Sequence, residues 1–196
     1  MKTYGFNAML ARMKYITRWG LMRCATQETL SEHAADTAIL AHTLCLIANH
    51  LCAQSVRSEK VCTAALYHDA SEILTGDMPT PVKYKNESLR SAYKQVEKEA
   101  AASLANMLPT ELQAEMRHCL TAEELTPHEK QLLKGADRLS ALIKCISERM
   151  SGNREFAGAE AQQRAALEGM QCAEVDYFMQ NMLPCYENTL DELSHT

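Results

Sequence analysis

The feature that most constrains this fold is the segment opening at Thr126-Pro127-His128-Glu129. A threonine followed three residues on by a glutamate is a capping box, and proline at the first helical position forfeits no hydrogen bond. Behind it Leu132, Leu133, Ala136, Leu139, Ile143 and Ile146 recur at helical spacing to about Met150. A helix of that length has to bury its apolar stripe against other elements. The same period predicts a helix over 7–15, capped by Asn7, with Met9, Leu10 and Met13 on one face. A longer one is expected from Ser31, its N-cap, to about residue 51, where Ala35, Ala38, Ile39, His42, Leu46 and Ala48 fall near helical spacing. Residues 16–23 lose the pattern and read as an ordered loop. Ser58 is the expected cap of a helix running to Thr75-Gly76. Pro79 and Pro81 then exclude helix across 77–81, because each restricts the residue before it to extended conformations. Asn86 or Ser88 starts a charged helix to about 108, and Pro109 a short one to about 120. The last helix is expected from Asn153 to about Met182, kinked near Gly169 and stopped by Pro184 before a polar tail over 186–196. No alternating strand pattern occurs. The expectation is an all-α bundle of about six or seven helices forming one domain over 1–196, with its chemistry within about 30–142.

Charge and cysteine usage narrow the partners. A net charge of −5 lacks the positive footprint of a polynucleotide or membrane-surface binder, yet leaves room for a small anionic ligand at a local positive site. No apolar run approaches the roughly 20 residues of a membrane span. The N-terminal stretch has no long apolar region, so no signal peptide is expected. The 8 cysteines are scattered and form no Cys-x-x-Cys pair, which fits reduced, core-filling thiols in a cytosolic protein.

Chemistry concentrates in residues 64–83. On a continuous helix His68 and Glu72 stand at i and i+4, and Asp69 and Glu72 at i and i+3, so all three share a face. Burying an imidazole and two carboxylates together is costly without compensation, and a divalent metal is the simplest compensation. His33, in the first turn of its helix, reads in isolation as a surface or cap-region histidine. Asp137, inside the apolar run after Thr126, reads in isolation as half of a salt bridge with Arg138 or another cation.

Together His33, His68-Asp69 and Asp137 resemble the H…HD…D pattern of the HD-domain metal-dependent phosphohydrolases. Arg18-Trp19, Ser31-Glu32-His33, His68-Asp69-Ala70-Ser71-Glu72, Thr75-Gly76-Asp77-Met78-Pro79-Thr80-Pro81-Val82-Lys83 and Ala136-Asp137 are similar to the bacterial HD-domain 5′-deoxynucleotidases. The resemblance covers nearly the whole chain, through Asp176-Tyr177-Phe178 and Leu190-Asp191-Glu192. Gly20 departs from it, since proline often follows the tryptophan in that family, and glycine there leaves the Arg18-Trp19 loop less constrained.

The resemblance implies a cytoplasmic homodimeric 5′-nucleotidase acting on deoxyribonucleoside 5′-monophosphates. It implies one divalent transition-metal ion per subunit, held by His33, His68, Asp69 and Asp137. Two imidazoles with two carboxylates suit cobalt, manganese or a similar ion better than magnesium. Such an ion lowers the pKa of water and draws charge from the phosphoryl group. Glu72 is implied as the proton-transfer residue; its ordinary alternative is a helix-end salt bridge. Arg18 is implied to hold and orient the phosphate; alone it would read as a solvated loop cation. Trp19, the sole tryptophan, is a core plug or a wall against the sugar or base, and the resemblance implies the wall. Substrate contacts are implied for Arg18, Trp19, His33, Asp69, Asp77, Met78, Pro79, Thr80 and Asp137, with Asp77 and Thr80 placed to reach the 3′-hydroxyl. Ribose would be excluded by a tight fit near C2′, because an open apolar pocket rejects an added hydroxyl only about a hundredfold. No residue is an obvious reader of the base. The alternatives are another HD phosphohydrolase, such as a triphosphohydrolase, or a non-catalytic metal- or nucleotide-binding module. A cyclic-dinucleotide phosphodiesterase of the Gly-Tyr-Pro type is disfavoured, since that tripeptide is absent. The apolar residues Met170, Tyr177, Phe178, Met179 and Met182 are either core or a dimer interface.

Overall fold

The computed structural model describes residues 2–83 and 85–195, and only the backbone of Thr80 and Pro81. Its helices are α1 (Phe6–Leu10), α2 (Leu30–His50), α3 (Ser58–Tyr67), α4 (Glu72–Thr75), α5 (Thr80–Lys83), α6 (Glu87–Ala105), α7 (Thr110–Thr121), α8 (Pro127–Met150), α9 (Ala157–Glu168), α10 (Ala173–Asn181) and α11 (Leu190–Leu193), with 3₁₀ turns at Ala11–Tyr15 and Leu183–Glu187. Among the described residues the only extended pairing is an isolated bridge between Thr17 and Thr29. The all-α expectation holds.

Helix α8 begins where its capping box puts it: Thr126 Oγ1 accepts from the Glu129 N–H, and Glu129 reaches back to the Thr126 N–H. Asn86 caps α6 as expected. Other ends fall elsewhere. Thr29, not Ser31, caps α2, again through a capping box, with Glu32. Gly5 precedes α1, so Asn7 lies within the helix and is not its cap, and the segment tightens to 3₁₀ after Leu10. Ser58 is the first helical residue of α3 and not its cap.

Two expected long helices are broken. The segment from Ser58 stops at Tyr67, and residues 68–71 form tight turns with Ala70 N to Tyr67 O and Glu72 N to Asp69 O bonds, three residues apart. Beyond α9 the chain breaks at Gly169, and Gln171 takes φ 52 before α10 starts. The exclusion of helix over 77–81 is also corrected in part, because Thr80–Lys83 form one helical turn. Pro81 lies in its first turn, where a missing N–H goes unnoticed. Within the polar tail Thr189 caps the single turn of α11.

Two apolar clusters carry the packing. One joins α2, α3, α8, α9 and α10 through Leu44, Val61, Leu132, Leu142, Leu167 and Phe178. It also takes up Met170, Met179 and Met182 at its margin, which places most of the C-terminal apolar residues in the core. The second joins α1, α6 and α7 to the start of α2 through Phe6, Leu30, Ala34, Leu104 and Leu120. The outer face of α2 differs from expectation: Ile39 and Leu46 are exposed, at 66% and 43%, and Ala34, Thr37 and Ala41 face inward.

Candidate active site

The seam between the two clusters gathers the ionisable residues. Ala34 and Ala70, each next to a site residue, belong to one cluster, and Ala136, next to Asp137, to the other. His33 comes from the first turn of α2, where it is fully buried. His68 and Asp69 occupy the turn after α3, and Asp137 lies mid-way along α8. His33 Nε2 is 3.5 Å from Asp69 Oδ2 and 3.2 Å from Asp137 Oδ1. His68 Nε2 is 3.0 Å from Asp69 Oδ2 and 3.9 Å from Asp137 Oδ1. Asp137 therefore pairs with imidazoles, while Arg138 donates to Gln163.

The remote ring nitrogens decide what the near ones can do. His68 Nδ1 lies 2.7 Å from the Ala65 carbonyl, which can only accept, so Nδ1 carries the hydrogen and the neutral ring keeps its lone pair on Nε2. His33 Nδ1 is 2.9 Å from Ser140 Oγ and 3.5 Å from Thr37 Oγ1, both buried hydroxyls. Among the described residues neither Nε2 finds a hydrogen-bond partner, although both are buried against carboxylates. The donor atoms of His33, His68 and Asp69 all lie within 4.8 Å of one another. Donors that converge on one point without bonding each other fit a divalent cation. The electrostatics agree. Burial disfavours a charged His68, but Asp69 and then Asp137 outweigh it and lift its pKa to about 9, so the site favours positive charge.

Glu72 starts α4, beyond the broken turn, so its proximity does not come from a shared helix face with His68. It is 6% exposed, and its Oε2 has no hydrogen-bond partner among the described residues. Burial first, then Asp69 and Asp77, push its pKa up to about 9 against the pull of Lys83 and Arg18, so it holds its proton at neutral pH.

Arg18 and Trp19 sit on the loop between the first 3₁₀ turn and α2. The Arg18 side chain is 13% exposed, and its charge is felt by Glu28, then Asp69, Asp137 and Asp77. It is therefore not a solvated cation. Asp77 is half-buried in the loop after Gly76, where burial raises its pKa while Arg18 and the Trp19 backbone N–H oppose the rise. Met78 and Pro79 are half-buried beside it, whereas the expected role of the Thr80 side chain lies outside the described residues. Lys83 bonds Glu97 at 2.7 Å and lies 4.7 Å above the Tyr93 ring, which ties this loop to α6. No Cβ at Gly20 would meet an atom within 4 Å, and Met22 N donates to Trp19 O at 2.8 Å, so the loop is held despite the glycine.

A family model described as 5′-deoxynucleotidase YfbR-like matches residues 5–186. The chain belongs to that family. It is 42% identical over 194 residues to the 5′-deoxynucleotidase VV1113 of Vibrio vulnificus, covering 99% of this chain and 100% of that one. It is 43% identical over 194 residues to the 5′-deoxynucleotidase YfbR of Escherichia coli, covering 99% and 98%. An HD-domain phosphohydrolase from Listeria innocua superposes with a TM-score of 0.81 at 25% identity, over 92% of this chain and 87% of that one.

Within this YfbR-like chain, sequence reasoning missed the supports. Glu28 accepts from both Arg18 and Trp19. Phe156, fully buried, meets the Trp19 ring at 5.2 Å. Ser140 follows Asp137 by three positions on α8, and a hydroxyl one turn from a candidate ligand was the available signal. Glu28 offered none, being one acidic residue in a loop.

Proposed function

We propose that this chain is a metal-dependent 5′-nucleotidase that hydrolyses deoxyribonucleoside 5′-monophosphates to deoxynucleoside and phosphate. The observation that carries the reading is the convergence of His33, His68, Asp69 and Asp137, with both histidines presenting Nε2 and with Arg18 and Glu72 beside them. Those four residues hold the metal, for which cobalt or manganese suits the mixed nitrogen and oxygen donors. When bound, the ion supplies Lewis acidity toward the phosphoryl group and acidifies water.

The chain's own groups do the rest. Arg18 binds and orients the phosphate through its guanidinium, whose charge is felt at Asp69, Asp137 and Asp77 across the site. Water attacks phosphorus and the bond to the 5′-oxygen breaks; Glu72 delivers its proton to that oxygen, and the carboxylate left behind regains a proton released by the attacking water. Trp19 is a wall for the sugar and base, Asp77 accepts from the 3′-hydroxyl, and Met78 and Pro79 line the sugar's path. The base is read weakly, so all deoxynucleoside monophosphates are substrates. The protein works in the cytoplasm, where its eight free thiols stay reduced. It works as a homodimer; the exposed Ile39, Leu46 and Leu66 on α2 and α3 support this, and light scattering tests it.

The test is phosphate release from each deoxynucleotide and ribonucleotide with manganese or cobalt, before and after chelation. Deoxynucleotides are expected to turn over faster, and only with metal. Equal turnover of AMP and dAMP, or activity that survives complete metal removal, would sink the reading.

A further inference from the structure

We propose that Glu28 is the positioning residue of the substrate clasp: one carboxylate oxygen sets the Arg18 guanidinium and the Trp19 indole as a single unit. This rests on the reading of Arg18 and Trp19 as substrate contacts. Oε2 of Glu28 accepts from Arg18 Nη1 at 2.9 Å and from Trp19 Nε1 at 2.7 Å. The Glu28 backbone carbonyl accepts from the Arg18 N–H at 3.0 Å, so main chain and side chain act together. Glu28 is only 8% exposed, and a carboxylate so enclosed needs charged or polar partners.

The clasp answers a physical difficulty. Arg18 and Trp19 are on a loop, and no helix dictates their rotamers. Trp19 adopts φ 62, a left-handed conformation that costs free energy in a residue with a Cβ and persists only where surroundings over-determine it. Its indole is pinned at the N–H by Glu28 and against Phe156 at 5.2 Å, and the Arg18 guanidinium lies 5.6 Å from its ring centroid. Arg18 also stands among Asp69, Asp77 and Asp137. Without Glu28 the guanidinium would turn to those carboxylates and compete for the groups that hold metal and sugar. With Glu28 occupying Nη1, its other N–H donors remain for a phosphate. Phosphate grip and sugar wall are thus coupled through one atom.

Trp19 is the only tryptophan, so fluorescence of the ligand-free protein under tryptophan-selective excitation, which leaves the tyrosines dark, reports on this residue alone. Glu28→Ala is expected to shift the emission to the red and increase acrylamide quenching. It should raise KM for dAMP roughly tenfold or more and lower the dAMP-over-AMP preference about as much. Glu28→Gln should restore emission, KM and preference toward the parent, because both hydrogen bonds end on one oxygen that an amide can replace. A merely structural role would lower Tm and the active fraction and leave KM and preference alone. Unchanged emission and quenching in Glu28→Ala overturns the proposal, as does altered emission with KM and preference unchanged. Should Glu28→Ala not fold, Glu28→Asp withdraws the carboxylate by one methylene and is read the same way. An Arg18→Ala variant with parental KM for dAMP would overturn the underlying substrate reading, and does so without any Glu28 variant.

Discussion

His33 and Asp137 lie inside α2 and α8, whereas Arg18 and Trp19 lie on a loop that side chains tie down. The first pair owes its placement to helix packing: two long apolar helices, pressed together by Leu44, Leu132 and Leu142, bring residues 104 positions apart in sequence within 3.2 Å. The loop has no such scaffold. Glu148 accepts from the N–H groups of Ala25 and Thr26, Lys144 donates to the Thr26 carbonyl, and Asn153 donates to the Arg23 carbonyl. His33 and Asp137 are thus held by packed long helices, and the Arg18-Trp19 loop by individual side-chain hydrogen bonds. Disturbing one should leave the other readable.

The largest separation is expected at Asp137. Asp137→Asn removes a charged donor from the metal set and should lower turnover at least about a thousandfold, with metal content measured by elemental analysis falling in parallel. The helical circular dichroism should be retained. Turnover near the parental rate would mean that the four-donor set is wrong. Glu72→Gln comes next: kcat should fall roughly a hundred- to a thousandfold while metal content stays parental, because a proton carrier is lost and no donor is. Loss of metal in this variant would move Glu72 into the donor set.

The loop's anchor offers a stability test. Glu148 is 1% exposed, and Glu148→Ala leaves the buried Lys144 ammonium with the Thr26 carbonyl but without its charged partner, which should cost about 3–5 kcal/mol in urea unfolding. Its pH dependence follows from the same contacts. Burial opposes the Glu148 charge, but Lys144, the Ala25 and Thr26 N–H groups and Asn153 outweigh it and hold the carboxyl at about 2. Glu129, bound by Arg57 against the cost of burial, is also held at about 2. Both folded values lie below the ordinary carboxylate value of about 4.3, so their stabilisation is complete above that pH and is lost as pH falls toward 2. Urea midpoints that stay flat between pH 4.5 and about 2.5 would contradict this. The smallest effect is expected at Gly20, whose φ is not positive and whose Cβ space is open. Gly20→Ala should change stability by under about 0.5 kcal/mol and leave KM parental, since Glu28 and Met22 hold the loop.

From the residues alone, the helical class was legible, because the 3.6-residue period and the capping box at Thr126 act locally and α8 obeys both. The chemistry of residues 64–83 was legible only in part: His68, Asp69 and Glu72 in one apolar stretch have few inexpensive explanations, whereas His33 and Asp137 joined them through the family resemblance alone. The break at residues 68–71 was not legible, because the apolar period runs through it while the backbone closes tight turns there. Nor was the inward face of α2, which is apolar on both sides and is oriented by what packs against it. Local patterning, set by neighbours along the chain, determined the helical class and marked residues 64–83 as unusual. Tertiary structure alone decided which nitrogen of each histidine points inward, and that Glu28 is the residue joining Arg18 to Trp19. Those facts rest on single hydrogen bonds, one of them between residues 107 positions apart, and such bonds leave no periodic trace in the chain.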